Sequence, residues 1–187
     1  MSKIIVLSVV ILMLSGSVLA HIGFMGLYSD GTHTSCSASG VPFYLVEMWI
    51  WFKPDPTNGM VCADFMITYP ANVITSTVTK NLPIISIDWG DFYSGYSVCF
   101  IDCQYDWIWP AHQLLYVTDP TPTTCQIVKH PDPAIECIQM YDCTEGYQPY
   151  CVGAYPRLWL NQNWGTCEDP IATEGTSWGA IKSLYGE

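Results

Sequence analysis

Pro42-Phe43-Tyr44-Leu45-Val46-Glu47-Met48-Trp49-Ile50-Trp51-Phe52-Lys53 decides the fold. It holds ten apolar or aromatic residues and one internal charge, Glu47, with prolines at 42, 54 and 56 and Asn58-Gly59 marking its ends. β-Branched and aromatic side chains suit a pleated surface. A membrane span needs about 20 apolar residues, so the run is too short to cross a bilayer. Periodicity alone does not separate a buried strand from a buried helix in a continuous apolar run. The flanking turn residues and the Phe, Tyr, Val, Trp and Ile content favour a central strand, both faces of which call for burial or a partner.

Further runs of the same kind flank it. Residues 21–28 read as a first strand and Ser29-Asp30-Gly31-Thr32 as a turn. Met60 to Tyr69 puts Val61, Ala63, Phe65 and Ile67 on one face, and the Pro/Asn/Gly loop before it suggests a hairpin with the organising strand. Val73–Thr79, Leu82–Trp89, Tyr96–Asp102, Trp107–Val117, Cys125–Lys129 and Ile135–Tyr141 continue the series. Strands about ten residues apart with turn chemistry between them predict an all-β chain, an antiparallel β-sandwich of Ig-like or jelly-roll-like kind. From Asp142 to Cys167 the alternation fades among Gly, Pro, Tyr and Asn, which predicts loop-rich structure stapled to the sandwich.

Residues 1–20 read as a signal peptide: Lys3, an apolar stretch from Ile4 to Leu14, then small residues with Val18 and Ala20 at the −3 and −1 positions. Cleavage would leave His21 first, a domain over 21–167 and a tail over 168–187, with no membrane span after cleavage. Removing Lys3 leaves 5 basic and 17 acidic residues, a net charge of −12. Such a surface repels phosphate backbones and anionic lipid, so nucleic acid is excluded as a partner. Aromatics at 14% against charged residues at 12% exclude a disordered chain. The expected location is secreted, in the periplasm or outside the cell, with attachment to the cell surface open.

Nine cysteines follow the signal: Cys36, Cys62, Cys99, Cys103, Cys125, Cys137, Cys143, Cys151 and Cys167. With an export signal they read as a disulfide framework. A structural zinc site needs Cys-x2-Cys pairs or Cys/His clusters, and no such pair occurs. On an extended segment Cys99 and Cys103 lie about 13 Å apart, too far to bridge each other. The odd number leaves at least one thiol free, paired between chains, or used otherwise.

The last segment places Trp178, Ile181, Leu184 and Tyr185 on one face of a short helix, capped by Thr176 or Ser177. Two turns of helix are not stable alone, so this face is expected to dock on the sandwich or on a partner. Leu27-Tyr28-Ser29-Asp30 with Cys36, Asp142-Cys143, and the closing Ser177-Trp178-Gly179-Ala180-Ile181-Lys182-Ser183-Leu184-Tyr185 resemble a group of uncharacterised secreted bacterial proteins. These contain cysteines and often end in a Trp-Gly-x-Ile-Lys-x-Leu-Tyr tail. The resemblance implies an exported bacterial β-sandwich and brings no activity with it. Cys137, Cys151 and Cys167 are additional to that group's pattern.

Two features could carry function. Trp49 and Trp51 share a face of an extended strand, as do Trp107 and Trp109. Exposed, these pairs form platforms for a protein or a glycan; buried, they are core. The second feature is His21. A terminal amine with its imidazole and a further histidine, drawn from His33, His112 or His130, makes a nitrogen site suited to copper. That arrangement resembles the histidine brace of lytic polysaccharide monooxygenases. Asp88 with Asp91 and Asp102 with Asp106 are acidic pairs of ordinary turn spacing, and no nucleophile elbow, zinc-protease run or phosphate loop is present. The expectation is a non-enzymatic exported binding or structural module without cofactor, acting on an unknown protein or glycan and open to homo-oligomerisation. A copper enzyme is the alternative.

Overall fold

The structure, a computed structural model, describes residues 23–162 and Cys167. The organising stretch forms β3 (Tyr44–Lys53). Val46, Met48, Ile50 and Phe52 turn inward, each under a tenth exposed, while Leu45, Glu47, Trp49 and Trp51 alternate outward. β3 is central as expected: it pairs antiparallel with β1 (Phe24–Tyr28) on one edge and with β8 (Ile108–Val117) on the other. β5 (Val73–Lys80) adds to β8, and the short β12 (Gly153–Ala154) adds in parallel to β1, giving a five-stranded sheet ordered β12-β1-β3-β8-β5.

The second sheet is built around β4 (Met60–Thr68). It pairs with β7 (Gly95–Gln104), with β10 (Gln139–Tyr141) and, over its last residues, with β9 (Thr123–Val128). β6 (Ile85–Asp91) joins β7, β11 (Pro149–Cys151) joins β10, β13 (Leu158–Leu160) joins β9, and β2 (Ser37–Ala38) runs parallel to β13. The two sheets enclose one core, in which Met25, Leu27, Phe65, Val98, Leu115 and Leu158 are fully enclosed. No helix among the described residues is long and apolar enough to cross a membrane.

One expectation requires correction. β3 and β4 are not a hairpin. β3 belongs to the first sheet and β4 to the second, so residues 54–59 carry the chain across the sandwich. Asp55 fixes that crossing by accepting the amides of Thr57 and Asn58 and, through its carbonyl, that of Gly59. The region from Asp142 onward is loop-rich and stapled by disulfides through Cys143, Cys151 and Cys167, as expected, and it also carries three short strands. β12 forms an edge of the first sheet and β11 of the second, while β13 lies between β9 and β2; two residues of β12 pair with β1 and three of β13 with β9. Such segments are too short for two-residue alternation to show in sequence. The expected helical tail, with Trp178, Ile181, Leu184 and Tyr185, lies outside the described residues, as does His21.

Eight cysteines form four disulfides: Cys36–Cys167, Cys62–Cys99, Cys103–Cys143 and Cys137–Cys151. Cys99 and Cys103 each reach a different part of the chain. Cys62 and Cys99 are opposed in register on β4 and β7, so that bridge locks the pairing of two strands. The closed loops run from 14 to 131 residues. By chain entropy the shortest contributes about 3 kcal/mol and the longest about 5. Cys125 is the remaining thiol, on β9 and wholly buried. Burial pushes that thiol up to about 12, which keeps it protonated and unreactive.

Candidate functional site

The outer face of the five-stranded sheet carries the four tryptophans singled out in the sequence, and none of them lies in the core between the sheets. Alternation along β3 sends Trp49 and Trp51 outward. Trp109 leaves β8 on the same side, and Trp107 immediately precedes that strand. They sort into two connected clusters. In the first, His33 stacks on Trp107 at 4.2 Å between ring centroids and meets Trp51 edge-on at 4.9 Å. Phe24 and Tyr28 of β1 add T-shaped contacts to the Trp107 ring at 5.3 and 6.2 Å. In the second, His112 of β8 stacks on its cross-strand neighbour Trp49 at 4.3 Å, and Trp109 packs against Trp49 at 5.1 Å. Gly31 lies against the Trp49 indole, where an added Cβ would come within 3.2 Å. The loop between β1 and β2 thereby links the two clusters.

That loop is shaped by Asp30, whose carboxylate accepts the Thr32 and Thr34 amides and the Thr34 hydroxyl. Its tight path sets His33 at φ +50°, a conformation few non-glycine residues adopt, and holds the imidazole on Trp107. At the rim, Lys53 reaches over Trp107 and pairs with Asp106 at 2.7 Å. The Trp51 Nε1 hydrogen is buried with no acceptor in the structure.

Beyond the clusters the same face becomes openly apolar. Leu45 on β3, Tyr116 on β8 and Ile74 on β5 are cross-strand neighbours and form one row over three strands. Leu45 is 59% exposed and Ile74 57%. Phe43, just before β3, is 64% exposed, contacts Tyr116 at 6.0 Å between ring centroids, and is held at φ +69° while its amide donates to the Val117 carbonyl. A bulky residue at positive φ is a true outlier, and such strain concentrates at functional positions. Sequence reading missed this row because it treated the organising strand as apolar on both faces. The signal was present: Glu47 marks the odd-numbered positions as outward, and Leu45 is one of them.

His33 and His112 sit on different indoles, one in each cluster. Among the described residues, no three His, Cys, Asp or Glu side chains come together in a group that could hold a metal ion. Three of the four paired acids, Asp88, Asp91 and Asp106, serve turns or ion pairs. Asp91 accepts the Tyr93 and Ser94 amides, Asp106 accepts the Trp107 amide, and Asp88 pairs with Lys80 and accepts the Tyr96 hydroxyl.

No family model and no curated protein matches the chain. Solved structures do. A chain of a type I cohesin–dockerin complex from Clostridium thermocellum superposes with a TM-score of 0.51 at 10% identity, covering 78% of this chain and 96% of that one. A cohesin module from a Clostridium perfringens family 33 glycoside hydrolase superposes with the same TM-score at 7% identity, covering 77% of this chain and all of its own. At such identities the likeness is one of fold: this chain folds as a β-sandwich similar to that of cohesin modules.

Proposed function

We propose that the protein is an exported, non-enzymatic binding module that presents the outer face of its β1-β3-β8-β5 sheet to a protein partner. The observation that carries this reading is the apolar row Leu45–Tyr116–Ile74 with Phe43. It leaves large apolar side chains open to water on a framework with its own complete core. Beside it Trp49, Trp107 and Trp109 are partly exposed, while Trp51, Phe24 and Tyr28 are buried beneath them; tryptophan is among the residue types that dominate interface energetics. An exposed apolar row running across three paired strands also suits a protein better than a small molecule, which favours concave sites. The C. thermocellum neighbour belongs to a cohesin–dockerin complex, a fold of this kind at work in protein association. Export is supported by the signal-like residues 1–20 and by four disulfides, which persist in oxidising compartments.

The test compares wild type with the double variant Leu45→Lys/Ile74→Lys, by sedimentation velocity on pure protein and by co-purification from the medium and envelope of the exporting cell. The wild type is expected in a complex, with itself or with another protein, and the variant as a folded monomer. A wild type that is monomeric in both settings contradicts the proposal.

A further inference from the structure

The two sheets do not close on one side of the sandwich. β5 is an edge of the first sheet and, among the described strands, pairs with β8 alone; β6 is an edge of the second and pairs with β7 alone. Between them lies a cleft of about 350 Å³. A register slip between Thr75 and Val78 bulges β5 there and turns Ser76 toward the opening. The facing wall is aromatic: Phe92 meets Tyr96 edge-on at 4.8 Å, and Tyr93 leans on Tyr69 at 4.6 Å while keeping much of its ring exposed.

The polar groups in this cleft differ in how far they are already satisfied. Lys80 pairs with Asp88 and lies 5.6 Å over the Tyr96 ring, and the Tyr96 hydroxyl donates to the same carboxylate at 2.9 Å. The charges are therefore matched, and the aromatic face that would draw a ligand cation already holds one. The Asp91 carboxylate is occupied by the Tyr93 amide and by the Ser94 amide and hydroxyl, each at 2.8 Å. Gln113 is different. It points inward from β8, is 3% exposed, and lines the cleft. Its Oε1 accepts the Tyr69 hydroxyl at 2.6 Å, but its amide nitrogen, with two hydrogens to give, makes one long bond of 3.4 Å to the Ser76 carbonyl.

The Thr75 hydroxyl is already hydrogen-bonded to the Tyr93 hydroxyl across the cleft. An apolar side chain entering here would strip water from the Gln113 amide and the Ser76 hydroxyl without replacing it. An anion would meet Asp88, Asp91 and a net charge of −11; a cation would compete with Lys80. The ligand that satisfies all of these is neutral, carries hydroxyls on its edge and has an apolar face for an aromatic ring. We infer that the cleft between β5 and β6 binds a neutral sugar residue, stacked on Tyr93, with its hydroxyls on the Gln113 amide and Ser76. This site is separate from the outer face of the β1-β3-β8-β5 sheet and does not depend on what that face binds.

The test is a nitrogen-15 NMR titration of the oxidised protein with glucose, galactose, mannose, xylose, N-acetylglucosamine and their disaccharides, with glucuronate and glucosamine as charged controls. At least one neutral sugar is expected to shift the Gln113 side-chain amide and the Phe92 and Tyr93 backbone amides saturably. Loss of the aromatic stack in Tyr93→Ala is expected to weaken binding roughly tenfold. Tyr93 is 53% exposed and the variant gives up only its contacts to Tyr69 and Thr75, so the fold is kept, which the unchanged remainder of the spectrum verifies. Leu45→Lys is expected to bind the sugar as the wild type does. The inference is overturned if no sugar moves the cleft resonances, if the shifts map to the tryptophan clusters, if Tyr93→Ala binds equally, or if a charged control binds as well as its neutral parent.

Discussion

Trp51 buries an indole N–H without an acceptor, packed against His33 and Trp107. An unsatisfied buried donor costs about 1–3 kcal/mol, so Trp51→Phe, which keeps an aromatic ring and removes the donor, should offset lost contact area. The expected change in stability by urea unfolding is within about 1 kcal/mol of zero; a loss of several kcal/mol would show that the donor is satisfied in solution. Phe43 raises the same kind of question about the backbone. Its φ of +69° costs roughly 1–2 kcal/mol for a side chain with a Cβ, whereas glycine adopts it freely at a smaller entropic cost. Phe43→Gly should therefore hold or raise the urea midpoint while weakening partner binding. A large fall in stability together with unchanged binding would make Phe43 a structural residue. At this scale the sequence was partly legible. The period-two alternation placed Trp49 and Trp51 on one face. Nothing in it announced that Phe43 would sit at positive φ or that His33 would fold back onto Trp107, because both depend on contacts distant in the chain.

Among the elements, the β6–β7 turn shows how tightly the second sheet is specified. Gly90 sits at φ +81°, and a Cβ there would collide with the Gly95 carbonyl across the turn. Gly90→Ala is expected to cost more than about 2 kcal/mol, read as a lowered midpoint of chemical unfolding, since both the backbone region and the space are forbidden. An alanine variant of wild-type stability would mean the turn has another conformation in solution. The long strands were readable because eight to ten residues suffice for alternation and turn residues to register, as in β3, β5 and β8. Their partners were not. The residues between β3 and β4 look like any hairpin loop, and whether the chain returns to the same sheet or crosses to the other is decided by which strands compete for each edge. The short β11, β12 and β13 carry no readable pattern at all; their pairing is set by the disulfides and sheet edges around them.

Over the whole molecule, titration should frame a broad stability plateau. Hydrogen bonds from Ser94, Lys53 and Thr121 hold the carboxyls of Asp91, Asp106 and Asp119 below the ordinary 3.8. For Asp30 and Asp88 burial acts upward, but hydrogen bonds led by Thr34 and Lys80 outweigh it. Carboxyls depressed in the folded state stabilise it above their unfolded values and lose that contribution as the pH falls, so stability should decline below about pH 4. On the alkaline side burial raises Cys125, Tyr141 and Tyr150 to about 12. Groups raised in the folded state contribute fully below their unfolded values, and this contribution is lost as the pH climbs from about 9 toward 12. Urea midpoints measured across this range should be flat between, and Cys125→Ala should show a shallower alkaline decline. An alkaline slope unchanged in that variant would mean the thiol is not buried. The fold class was legible from strand spacing and the cysteine count, because both are whole-chain properties. The proposed binding face was legible only in part: alternation around Glu47 marks Leu45, Trp49 and Trp51 as outward, but which strands lie beside them is settled only on folding, so the row through Tyr116 and Ile74 was not.

The proposed function rests on which face of the sandwich meets a partner. A photo-crosslinking amino acid placed in turn at Leu45 and Ile74, on the outer face of the first sheet, and at Ile87 and Ile101, equally exposed on the second, would decide it in the exporting cell. Discrete adducts from positions 45 and 74 and none from 87 and 101 are the predicted result. Adducts from 87 and 101 alone, or none from any position, would contradict the assignment.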